Sequence, residues 1–206
     1  MKSVFNTLGL LLVTVSLACA QDFNKETDKY RKKYKDEFLQ TANSPLKEAD
    51  LPFIQFYEPD SSYRVVARFE RSRGQSFEMP TYSGTNKTYV KYGKVKFRLH
   101  GRKQTLTVYR SLSLQQLAKY KDYLFIPFKD KTNGDESYGG GRYMDLKTTD
   151  IKDGTLVLDF NKAYNPYCAY SDGYNCPIPP SPNHLPIAIN AGEKKFAKDH
   201  QQARLK

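Results

Sequence analysis

The run over residues 89–99 constrains this chain most. It sets Tyr89, Lys91, Gly93, Val95, Phe97 and Leu99 against Val90, Tyr92, Lys94, Lys96 and Arg98. Side chains of an extended strand alternate between two faces. The spacing therefore predicts a half-buried β-strand, with Gly93 marking a bulge or bend. After a polar turn at residues 100–103 the alternation resumes, with Leu106, Val108 and Arg110 opposite Thr107 and Tyr109. The two runs read as a hairpin, and a chain built around such a hairpin is committed to a sheet.

Other segments obey the same logic. Residues 63–69, 123–128 and 156–160 read as strands, 75–79 as a short extended piece, and 187–190 as a last strand. Pro127 has no N–H to give a ladder, so it points to an edge strand or a strand end. Residues 22–40 carry Phe23, Tyr30, Tyr34 and Phe38 near helical spacing, which predicts an amphipathic helix stopped at Asn43-Ser44-Pro45. Half of its apolar stripe is Tyr, so it docks on the domain rather than on a membrane. Short helical pieces are expected at 46–50 and 113–120. The fold class is mainly β: a distorted β-barrel or sandwich with an N-terminal helix and long irregular loops.

Residues 1–20 read as a cleaved signal peptide. Lys2 gives a basic start, residues 8–15 an apolar run, and Ala18-Cys19-Ala20 a small-x-small cleavage site before Gln21. The run is too short to span a membrane, which takes about 20 apolar residues. A lipoprotein reading through Cys19 is weaker, because Ser16 stands where a lipobox has Leu. Residues 21–206 then form a single β-rich domain, with a polar stretch from Lys194 that frays and a flexible tail over 197–206. The reading is of an exported protein, periplasmic or secreted, with no transmembrane segment.

The formal charge is +11, but cations and acids are interspersed and no block resembles a nucleic-acid tail. No nucleic-acid partner, cofactor or metal is expected. Cys168 and Cys176 remain after cleavage, and an oxidising compartment favours a disulfide between them.

Three loops concentrate the chemistry. Residues 130–136 gather Asp130, Asp135 and Glu136 with Asn133. That donor set suits a hard cation, but the spacing is not an EF-hand, and Asn133-Gly134 reads more simply as a type I′ turn. In the second loop, Gly139, Gly140 and Gly141 allow a backbone nest for an anion. Arg142 can grip a carboxylate or phosphate bidentately, with Tyr143 beside it; the Gly-Lys-Ser/Thr ending of a P-loop is lacking. The third loop, 159–184, brings Asp159, Asn161, Asn165 and Tyr167 near Cys168 in sequence. Cys168 with His184 would make a nucleophile and base, oriented by Asp159 or Asn165; a bridged Cys168 would remove that chemistry. Tyr138, Tyr143, Tyr164, Tyr167, Tyr170 and Tyr174 either stack on a sugar-like ring or fasten irregular backbone.

These segments carry a resemblance. Tyr63-Arg64-Val65, Phe77-Glu78-Met79, Lys91-Tyr92-Gly93, residues 124–128, Thr132-Asn133-Gly134, residues 138–143, 159–168 and 176–180, Asn183-His184-Leu185 and Ala191-Gly192-Glu193 resemble the bacterial domain-of-unknown-function 1684 family, in particular its members from the Bacteroidetes. The resemblance covers nearly the whole chain after residue 20. It implies a single exported domain and no assigned activity. The leading expectation is a binding module for a small anionic or carbohydrate-like ligand, held by Gly139–Gly141, Arg142, Tyr143, Asn161, Asn165 and Tyr167. A hydrolase or transferase using Cys168 or Asp159 with His184 is the second, and a purely structural envelope protein the third.

Overall fold

The computed structural model of the chain describes residues 4–72 and 74–198, with side chains from residue 21 onward. The leader expected over 1–20 lies outside the described side chains, and the tail over 199–206 outside the described residues. The elements are α1 (Val4–Gln40), β1 (Arg64–Arg71), β2 (Ser76–Pro80), β3 (Asn86–Leu99), β4 (Arg102–Ser111), α2 (Leu112–Gln115), β5 (Tyr123–Phe128), β6 (Arg142–Lys147) and β7 (Thr155–Asp159), joined by short 3₁₀ turns. All seven strands belong to one antiparallel sheet of order β6-β5-β4-β3-β1-β7, with β2 paired to β3. The sheet curls into a half-barrel that does not fully close. Of the two architectures expected, the barrel is the nearer, since a sandwich needs a second sheet.

The β3–β4 hairpin forms as its alternation dictates. His100 and Gly101 both have positive φ, 46° and 78°, which lets a two-residue turn match the twist of its strands. The ladder slips between Lys91 and Gly93, so Gly93 does mark a bulge. The bulge has a consequence that the alternation alone conceals. One extra residue moves every later side chain to the other face. Val95, Phe97 and Leu99 join Leu106, Val108, Leu124, Ile126, Phe128, Leu156 and Leu158 in the main core. Tyr89, before the bulge, packs instead with Met79, Tyr109, Phe125 and Tyr143 in a separate cluster. The six residues 89, 91, 93, 95, 97 and 99 do not share one face.

Pro127 is a strand end but not an edge: β5 lies between β4 and β6. The β4–β5 ladder holds at Tyr109 and Phe125 and then parts. Asn183, fully buried, fills the gap as a surrogate peptide. Its Oδ1 accepts from Thr107 N at 2.7 Å, and its Nδ2 donates to Thr107 O at 2.9 Å and Pro127 O at 2.8 Å.

Residues 187–190 form no strand. Their backbone is satisfied by side chains and a loop rather than by a ladder: Ile187 O accepts from Lys131 N, Ile189 N donates to Asp130 Oδ1, and Ile189 O accepts from Arg142. The stretch after Glu193 does not fray as far as it is described. Lys194, Lys195 and Ala197 N–H groups donate to Gln55, Glu136 and Phe53 carbonyls, and Phe196 packs on Tyr170. Helix α1 docks on the domain as its aromatic stripe predicts. Phe38 is buried against Ala169, Tyr170 and Leu46, with Tyr34 and Tyr167 beside it, and Tyr30 donates to Lys162 O. Among the described residues no helix is long and apolar enough to cross a membrane.

Candidate functional site

The Gly-Arg-Tyr segment splits between two environments. Along β6, residues 143 and 145 face one way and 142 and 144 the other. Arg142 therefore enters the interior, where its side chain has no solvent exposure. There Nη2 meets Asp130 Oδ2 at 2.8 Å and Ile189 O at 2.8 Å, and Nη1 donates to Ala191 O at 2.6 Å and Glu193 O at 3.2 Å. Asp130 Oδ1 accepts from Thr132 N, Thr132 Oγ1 and Ile189 N. This corrects the reading of Arg142 as an anion clamp: its two terminal nitrogens are engaged by carbonyls and one carboxylate of the chain itself. It also shows what Asp130 does in its acidic loop, which is to brace that guanidinium. The expected type I′ turn is not formed there, because only Gly134 of the Asn133-Gly134 pair has positive φ.

The glycines serve the same frame. Gly141 has φ +95°, and a Cβ there would stand 2.6 Å from Phe128 O. A Cβ on Gly140 would strike the Tyr138 ring and the Tyr82 hydroxyl. Gly139 lies against Gly134. The three glycines thus let backbone and rings of the protein close up on one another.

Asn161 and Asn165 are staples. Asn161, fully buried, accepts from Asp60 N and donates to Asp60 O, both at 2.9 Å. Asn165 N donates to Glu193 Oε2 at 2.9 Å, and its Nδ2 to Lys194 O. Glu193, also fully buried, accepts in addition from Tyr34 at 2.9 Å and Tyr170 at 2.6 Å. Burial outweighs these three donors and pushes the Glu193 carboxyl up to about 7.

The nucleophile–base arrangement is not assembled. Cys168 and Cys176 stand at disulfide distance, with Cα atoms 6.3 Å apart, and a bridged sulfur is no thiolate. His184 is exposed, with Nε2 3.0 Å from Pro179 O. Asp159 caps the turn after β7, accepting from Asn161, and lies 3.9 Å from Arg64 and 3.8 Å from Lys162. Among the described residues no hydrogen bond or ion pair joins these three.

A site that no sequence motif singles out lies on the other face of β5 and β6. A cleft of about 1280 Å³ opens between that face, α1 and the 164–177 segment. Nine of the chain's 16 tyrosines line it. Tyr89 reaches it because of the bulge, Tyr123 and Tyr143 by strand alternation, Tyr30 and Tyr34 from α1, and Tyr164, Tyr167 and Tyr174 from the irregular wall. Tyr143 and Tyr167 are the two expected ligand residues that the structure does bring to it. Several hydroxyls are anchored, Tyr143 on Pro177 O, Tyr174 on Asn43 O and Tyr30 on Lys162 O, so the ring planes are set in advance.

Asp145 stands among these rings. Tyr123 and Tyr164 both donate to its Oδ1, at 2.8 and 2.6 Å. Oδ2 takes no hydrogen bond among the described residues, and the residue remains exposed to the cleft. The surrounding protein raises the carboxyl above its usual range, partly offset by the two phenols, and Glu37 across the cleft raises it further. Nothing in its local sequence marks Asp145 as special. Its spacing of two from Tyr143 on a strand is the one signal that could have found it. Glu37, Asp122, Asp150, Lys87, Lys119 and Lys147 complete the charged lining.

Comparison with known proteins adds kinship without an activity. A family model described as "Protein of unknown function (DUF1684)" matches residues 49–194, which include β1 to β7, Asp145 and the buried frame. A solution NMR structure of an uncharacterized protein from Haloarcula marismortui is similar at a TM-score of 0.67 and 32% identity, covering 88% of this chain and 99% of that one. The similarity thus reaches an archaeal protein, beyond the bacterial members expected. No curated protein matches.

Proposed function

The chain belongs to the DUF1684 family, whose description assigns no activity, and we propose that this member is a binding protein whose tyrosine cleft takes a hydroxyl-rich ring, a ligand of the saccharide class. One observation carries the reading: an exposed carboxylate with a free oxygen set among anchored aromatic rings. Ring faces give flat apolar contact to a sugar's C–H face, and Asp145 Oδ2 gives a charged acceptor for its hydroxyls. Anchored rings lose little freedom on binding. An anion fits this cleft less well, since the four carboxylates of Glu37, Asp122, Asp145 and Asp150 outnumber the three lysines Lys87, Lys119 and Lys147. Export to the periplasm or beyond is part of the proposal, supported by the leader pattern and the paired cysteines.

The chain has no Trp, so intrinsic emission reports tyrosine alone. Titration with maltotriose and with chitotriose is expected to give a saturable emission change for at least one, weakened about tenfold in Asp145→Asn and in Tyr167→Ala. A flat response to both sugars, or a response that these substitutions leave unchanged, would sink the reading.

A further inference from the structure

Beside the bulge in β3 is a second hollow, of about 330 Å³. Its walls carry Arg71, Lys91 and Arg110 together with Tyr92, Ser72 and Gln115, and among the described residues no carboxylate. None of these residues lines the tyrosine cleft, so the chemistry of this hollow is independent of the saccharide reading.

The bulge builds this hollow too. Tyr92 is the inserted residue, and its ring holds two guanidinium groups. The Arg71 carbon stands 3.4 Å from the ring centroid and the Arg110 carbon 4.3 Å. Arg71 is steadied by a 3.1 Å bond to Tyr92 O. Lys91 lies 5.8 Å from the Phe77 centroid. The nearby acids are used elsewhere: Glu70 pairs with Lys96 at 2.7 Å, and Glu78 accepts from Thr88. Arg110 Nε is without a hydrogen-bond partner among the described residues. Two guanidiniums on one ring repel each other, and the ring quadrupole offsets only part of that. An anion at the edge of the ring, within reach of the forks on both sides, would relieve the repulsion, and planar guanidinium forks match tetrahedral oxyanions bidentately.

We propose that Arg71, Lys91 and Arg110 form a binding site for a tetrahedral oxyanion, a phosphate or sulfate group. The charge recognition sought in the Gly-Arg-Tyr loop is available here, where the cations have no carboxylate partner among the described residues. The group is either free or carried on a lipid headgroup, and the two sources separate experimentally.

The test is titration of the protein with sodium phosphate at ionic strength held constant by sodium chloride, monitored by NMR at the Tyr92 ring and the arginine Nε–H signals, with sedimentation on phosphatidylglycerol vesicles in parallel. Saturable shifts with phosphate, weakened about tenfold or more in Arg71→Gln and in Arg110→Gln but unchanged in Arg98→Gln, would establish the site for the free anion. Vesicle binding with the same arginine dependence and no response to phosphate would establish it for a headgroup. Lys91→Gln, on another wall, is expected to weaken either response and serves if an arginine variant misfolds. No saturable response in either arm overturns the proposal, as does a response that the Arg71, Arg110 and Lys91 substitutions leave intact.

Discussion

Two regions of this protein use the same alphabet to opposite ends. Around Arg142 and Glu193, carboxylates, tyrosines, asparagines and glycines lock together out of reach of water. Around Asp145, tyrosines and carboxylates line an open cleft, and one carboxylate oxygen is left over. Both occupy loop-rich segments, and β6 supplies both, Arg142 to one face and Tyr143 and Asp145 to the other. The difference lies in what remains unsatisfied. A polar group that spends its bonds on its own chain builds the fold; one with capacity left over facing solvent can build a site.

The largest effect is expected from emptying the closed region. Arg142→Ala would leave the Asp130 charge and three carbonyls buried without their partner. Such losses cost about 3–5 kcal/mol, and urea denaturation is expected to show that or outright unfolding. A variant of near-native stability would mean that the buried frame is not what holds the loops.

Glu193 makes the closed region sensitive to pH. Its carboxyl moves from an ordinary 4.5 up to about 7 on folding. The folded state therefore binds the proton more tightly than the unfolded one, and the added stability is present below about 4.5 and lost as pH rises through about 7. By linkage the drop is on the order of 3 kcal/mol. Stability measured against pH should show this fall, and Glu193→Gln should flatten that window. A wild-type profile rising over the same interval would contradict the assignment.

Asn183→Ala is the next test in size. It would leave Thr107 N and O and Pro127 O unpaired in the parted ladder, costing about 1–3 kcal/mol, with hydrogen exchange at Thr107 accelerated. The smallest effect on stability belongs to the cleft. Asp145→Asn keeps an acceptor for Tyr123 and Tyr164, so calorimetry should place its stability within about 1 kcal/mol of the parent, even as saccharide binding weakens. A large loss there would make Asp145 part of the frame.

Legibility in the sequence depends on how local each signal is. The 89–111 hairpin is readable because alternation and a short turn lie within a few residues of one another. The bulge is marked by Gly93, but the change of face at Tyr92 is not, since alternation looks the same on either side of a slip. The apolar run at 187–190 reads as a strand because composition does not reveal whether a partner strand exists, and Arg142 and Asp130 take that role. Asn183 bonds to Thr107, 76 residues away in sequence, so its function exists only once the sheet is formed. Arg142 reads as a ligand group because exposure is not a property of a motif. Asp145 escapes notice because a lone carboxylate on an edge strand has no signature until helix α1 and the 164–177 wall close around it.

The most direct test of the division between frame and cleft is a map of backbone amide shifts on adding whichever of maltotriose or chitotriose changes the tyrosine emission. Perturbations are expected at residues 30–41, 143–147 and 164–167, with residues 130–142 and 191–193 nearly silent. Shifts centred on residues 139–142, with the cleft silent, would contradict it and return recognition to the glycine loop.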